Sequence, residues 1–201
     1  MTARRAMLIW GGVATAVIAP LAVAATSPLL AWREPVYIAA GFAGVVAMAL
    51  MLLQPLLAGG YLPGLGARRG RWVHRVTGVA LVVAVIGHVV GLWITSPPDA
   101  IDALLLRSPA PFALWGVIAM WGVFAAALLA LMRARLRPRI WRLGHGCIVA
   151  LVVVTSAAHA LLIEGTMGTM TKAALCILAV VATAKVLSDL RIWRLFRPRR
   201  T

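Results

Sequence analysis

The chain has 201 residues, of which 63% are hydrophobic and only 12% charged, with a mean hydropathy of +0.96. An ordinary soluble domain is about half apolar and a quarter charged, and six membrane crossings of about 20 residues leave no room for a soluble domain of ordinary size. The net charge of +15 resembles that of a nucleic-acid binder, but in so apolar a chain it reads as membrane topology, and no nucleic-acid partner is expected.

Six apolar stretches follow in order: Ala6–Thr26, Val36–Leu57, Trp72–Thr95, Phe112–Arg133, Ile140–Ile163 and Thr171–Leu190. Each is long enough to cross about 30 Å of hydrocarbon as a helix. Proline-bearing breaks separate them, at Ser27-Pro28, Glu34-Pro35, Pro63-Gly64, Ser96-Pro97-Pro98, Pro109-Ala110-Pro111 and Arg137-Pro138. The fold class is all-α, a six-helix membrane bundle forming one domain over residues 1–201. No tandem repeat is evident. The first stretch, with Arg4-Arg5 before it and Leu21-Ala22-Val23-Ala24-Ala25 near its end, resembles a signal peptide, but its length favours an uncleaved span.

The cations are uneven. Arg4 and Arg5 precede the first span; Arg68, Arg69, Arg71 and Arg75 precede or open the third. Arg133, Arg135, Arg137, Arg139 and Arg142 join the fourth to the fifth, and Arg191, Arg194, Arg197, Arg199 and Arg200 follow the sixth. The opposite side has only Arg33, Arg107 and Lys172, while Lys185 lies within the last span. The positive-inside rule places both termini in the cytoplasm of what is expected to be a bacterial inner membrane.

All four histidines fall inside spans, His74 and His88 in the third, His145 and His159 in the fifth. Each pair is separated by 14 positions, almost four helical turns, so both members share a face about 21 Å apart. The third and fifth spans run in the same direction, which sets His74 level with His145 and His88 level with His159. Facing imidazoles can supply both axial ligands of a haem iron, and two levels make two stacked haems suited to electron transfer. Zinc prefers three or four ligands close together, and the spans lack the acids expected of a proton relay. Without Cys-x-x-Cys-His, the haems are expected to be non-covalent and b-type. Cys147 and Cys176 read as small apolar residues.

Around the histidines, Gly78, Gly87, Gly91, Gly144 and Gly146 allow close approach of a helix or a porphyrin. Arg75 and Arg142 are candidate propionate partners of the His74/His145 level, with snorkelling to the interface as the simpler role. Trp72 and Trp141 read as interfacial belt residues. Lys185 and Asp189 form an (i, i+4) pair.

Arg71-Trp72-Val73-His74-Arg75-Val76-Thr77-Gly78, followed by His88, resembles the third helix of the ferric reductase-like transmembrane domain family. Ile140-Trp141-Arg142-Leu143-Gly144-His145, followed by His159, resembles its fifth. That family includes ferric reductases, the membrane domain of NADPH oxidases and the haem subunit of a periplasmic methionine sulfoxide reductase system. The resemblance implies a bundle with two b haems ligated by His74, His88, His145 and His159. It implies electron transfer from a cytoplasmic flavoprotein or quinol to ferric iron, a ferric chelate or a periplasmic redox protein. A flavin and nicotinamide module is not expected in this chain, which has no Gly-x-Gly-x-x-Gly. His74 departs from many methionine sulfoxide reductase haem subunits, which lack the first histidine of the third helix. The cytochrome b of quinol–cytochrome c oxidoreductases also pairs histidines on two helices, but its Pro-Glu-Trp-Tyr motif is absent. A haem-free helical bundle is the remaining alternative.

Overall fold

The computed structural model describes residues 2–190, so the arginines from Arg191 to Arg200 lie outside the described residues. Among the described residues there are seven α-helices: α1 (Ala3–Ala25), α2 (Pro35–Ala58), α3 (Ala67–Thr95), α4 (Pro97–Leu104), α5 (Pro111–Leu131), α6 (Pro138–Leu162) and α7 (Thr169–Asp189). No strand occurs among the described residues. Six of the helices, all but α4, are long and apolar enough to cross a membrane, and the protein is an integral membrane protein. Only helices close their own backbone hydrogen bonds in lipid without forming a barrel.

The six expected spans all appear, with ends shifted by a few residues. The largest shift is at α3, which starts at Ala67 after the Gly66 N-cap. Arg68, Arg69 and Arg71 therefore lie on its first turns, where helix-favouring side chains continue the helix past the apolar edge. The fourth span, α5, continues as a short 3-10 turn over Met132–Arg135.

Helix α4 lies where only a break was expected. Pro97 and Pro98 occupy its first positions, where a proline's fixed φ suits a helix and its missing N–H costs nothing. Asp99 sits in the first turn, favourably placed toward the helix dipole, and its carboxylate accepts from Ser96 Oγ at 2.5 Å.

Two antiparallel hairpins dominate the packing, α2 on α3 and α5 on α6. Helix α7 closes on α2 and α6, and α1 lies outside against α2 and α7. The core is built around α2, α6 and α7, from residues such as Met48, Leu52, Val153, Leu175 and Ala179. By contrast α3 buries only Gly70, Leu81 and Gly91, and it is not in close contact with α6 along its length. The two histidine-bearing helices thus face each other without packing together.

Candidate functional site

The four histidines project from α3 and α6 and form two levels. At one level the ring centroids of His88 and His159 are 6.4 Å apart, with planes inclined by 78°. His74 and His145 lie at the other level, nearer the arginine-rich end, each the eighth residue of its helix. Of the two pairs expected from the 14-residue spacing, His88 and His159 are brought ring to ring across the two hairpins.

Each ring is also tied to its own hairpin. His88 Nδ1–H donates to the Ala40 carbonyl at 2.8 Å, and His159 Nδ1–H to the Phe112 carbonyl at 2.9 Å. His74 Nδ1–H reaches the Gln54 carbonyl at 3.3 Å. His145 Nδ1 is directed at the Ala126 carbonyl but closes no hydrogen bond of ordinary geometry and is left buried and unpaired. A carbonyl can only accept, so each bonded ring carries its proton on Nδ1 and leaves the Nε2 lone pair free. Among the described residues nothing hydrogen-bonds any Nε2. Binding Nδ1 to the ring's own hairpin turns Nε2 away from that hairpin.

Two imidazoles bound to one metal at about 2 Å per bond have their centres about 6 Å apart. The His88/His159 separation fits that requirement, and the Nδ1 bonds supply the backbone partners that metal-bound imidazoles ordinarily have. Among the described residues no three His, Cys, Asp or Glu side chains converge on a point, so the available arrangement is two pairs of imidazoles.

Around His74, Gln54 Nε2 donates to Thr77 Oγ1 at 2.9 Å, and Thr77 Oγ1 donates to the Val73 carbonyl at 2.8 Å. This polar tie locks α2 to α3 beside the ring. Gly91 brings the same helices together at the other level, where an added Cβ would stand 2.6 Å from Ala40 Cβ. Gly78 and Gly87 also face α2, and Gly144 faces Leu129 of α5. These four glycines serve the packing within each hairpin.

Trp72 is exposed, whereas Trp141 is turned toward His145. It stacks on His145 with centroids 5.4 Å apart and planes within 12°, and the Arg133 guanidinium lies 4.9 Å above it. Its Nε1 is buried without a partner among the described residues. Arg75 is exposed, and Arg142 donates from Nη2 to the Leu190 carbonyl at 3.2 Å, which places it at the C-terminus of α7.

The two hairpins repeat one arrangement, which corrects the reading of a chain without a repeat. The acceptors Ala40 and Gln54 are 14 positions apart, as are the acceptor Phe112 and Ala126, the residue toward which His145 turns. Gly44-Val45-Val46-Ala47-Met48 recurs as Gly116-Val117-Ile118-Ala119-Met120, with Val45, Ala47 and Met48 buried like Val117, Ala119 and Met120. Arg71-x-x-His74 likewise recurs as Arg142-x-x-His145. Gly44 and Gly116 each lie against a histidine ring, although neither is near one in sequence.

Residues 41–156 match the family model described as ferric reductase like transmembrane component. The match covers more than half of the chain and includes His74, His88 and His145, ending three residues short of His159. No curated protein and no solved structure matches.

Proposed function

The chain belongs to the ferric reductase like transmembrane component family, and we propose that it carries electrons across a membrane on two b-type haems, one held by His74 and His145 and the other by His88 and His159. The observation that carries this reading is the His88/His159 pair: two rings 6.4 Å apart, both bonded through Nδ1 to their own hairpins. Held between two imidazoles, haem supplies one-electron chemistry with no open position for oxygen.

The chain's own part is positional. Its backbone carbonyls fix the tautomer that leaves Nε2 free, and the hairpins hold the two levels about 21 Å apart along α3 and α6. Trp141 covers His145, and its unpaired indole N–H offers a donor to an anionic group at that level. Arg75 and Arg142 flank the level as further cations, Arg142 after release from Leu190.

The arginine clusters orient the arginine-rich end toward the cytoplasm of a bacterial inner membrane. The donor at that end is a separate flavoprotein or a membrane quinol. The acceptor at the opposite face is ferric iron, a ferric chelate or a periplasmic redox protein.

The test is transfer across a sealed bilayer. Purified protein is reconstituted into liposomes that enclose ferricyanide, and a membrane-impermeant reductant is added outside. The wild-type chain is expected to reduce the trapped acceptor, and His88→Ala to abolish that reduction. Equal rates for the two would exclude a route through this pair.

A further inference from the structure

We propose that Gly44 and Gly116 are positioning residues for His88 and His159, leaving open the space through which each Nδ1–H reaches the carbonyl four residues earlier. The inference adds residues to the site proposed above and rests on that reading only for its haem readout.

The geometry is the same in both hairpins. In an α-helix the carbonyl of residue i points toward residue i+4. A side-chain donor that reaches such a carbonyl from a neighbouring helix passes beside the Cβ of that later residue. Ala40 and Phe112 are the acceptors, and the residues four positions on are Gly44 and Gly116. A Cβ added at Gly44 would stand 3.0 Å from His88 Nδ1 and 3.2 Å from its Cε1. One added at Gly116 would stand 2.6 Å from His159 Nδ1 and 2.8 Å from its Cε1. The second pair of distances is impossible without moving the ring, and the first is at the limit of contact.

The other level provides the contrast. The carbonyls toward which its rings turn are those of Gln54 and Ala126, and the residues four positions on are Ala58 and Ala130. There the Nδ1 distance lengthens to 3.3 Å for His74, and the bond does not close for His145. Glycine at the fourth position accompanies bonds of 2.8 and 2.9 Å; alanine accompanies a long bond and an open one. Each hairpin thus contributes one ring to each level, with glycine at the fourth position where the bond is short and alanine where it is long or open. An Nδ1–H bonded to a carbonyl makes the imidazole a stronger ligand through Nε2 and favours the oxidised metal.

The full chain, labelled with 15N at histidine, is compared in detergent as wild type, Gly116→Ala and Ala130→Gly, with and without haem. In the haem-free protein, NMR is expected to show His159 protonated and hydrogen-bonded at Nδ1 in the wild type. Gly116→Ala should lose that signature for His159, and Ala130→Gly should gain it for His145. With haem, Gly116→Ala should weaken retention at the His88/His159 level by about 10–100-fold and raise the midpoint potential of whatever remains bound there. A wild-type His159 signature in folded Gly116→Ala would overturn the proposal. If Gly116→Ala does not fold, an unchanged His145 in Ala130→Gly overturns it instead. A wild-type chain that takes up no haem would refute the function proposed above, while the haem-free spectra would still decide the role of the glycines.

Discussion

The rings of His88 and His159 stand 6.4 Å apart and nearly perpendicular, although they belong to different hairpins. No local turn sets that distance. It follows from how α2 holds α3, how α5 holds α6, and how the two hairpins meet. Each ring is anchored on its own side by a backbone carbonyl, so rigid placement of the hairpins places the imidazoles.

Loss of one ring should therefore remove one level and spare the other. His159→Ala is expected to retain a single haem, with His74 and His145 still in place. Haem-to-protein ratios after purification check this. Loss of both haems would mean that the two levels assemble only together.

Trp141 covers His145, and an aromatic contact of this kind contributes about 0.5–1.5 kcal/mol. Trp141→Ala should accordingly release the group held by His145 up to about tenfold faster, by the rate equivalent of that energy. Trp141→Phe should restore most of the stack. Transfer of haem to an excess of apomyoglobin measures the release rates.

Lys172 is almost buried, at 7% exposure, and its Nζ donates to the Ile163 carbonyl at 2.6 Å. It thereby caps the C-terminus of α6 one turn beyond His159, where a cation meets the negative end of the helix dipole. Lys172→Met keeps the stem but leaves that carbonyl unpaired, at an expected cost of about 1–3 kcal/mol. Thermal unfolding in detergent, followed by circular dichroism, reports the loss.

At the arginine-rich end, Tyr61 Oη donates to Asp189 Oδ2 at 2.5 Å, and Lys185 Nζ lies 2.8 Å from the same oxygen. Burial, the hydrogen bond and the Asp189 charge together push the Tyr61 phenol up to about 12 from its ordinary 10. The folded state holds the proton more tightly than the unfolded one. The stabilisation is therefore complete below pH 10 and is lost as pH rises through about 12. Absorbance of the phenolate should show Tyr61 titrating late, and Asp189→Asn should bring its midpoint down. An unchanged midpoint would show that burial alone raises it.

The meeting of His88 and His159 was legible in the sequence because 14 residues are so nearly four turns, and because two alternate spans must run in the same direction. The spans were legible from length and apolarity. Helix α4 was not, since Pro97-Pro98 reads equally as a break or as a helix start. The stack of Trp141 on His145 was not legible, because composition places a tryptophan at a depth in the membrane and cannot say whether it turns to lipid or to a histidine. Gln54, Gly44 and Gly116 act through contacts on a neighbouring helix that no local pattern reveals. The recurrence of Gly44-Val45-Val46-Ala47-Met48 at Gly116 was the signal that could have found the two glycines.

Haem quantification with a dithionite-reduced spectrum of the purified chain decides whether the four histidines make two haem sites. Two b-type haems per chain with low-spin, bis-imidazole spectra are expected, each level lost separately with its own histidines. A chain that folds, carries all four histidines and binds no haem when haem is plentiful would contradict the two-haem assignment.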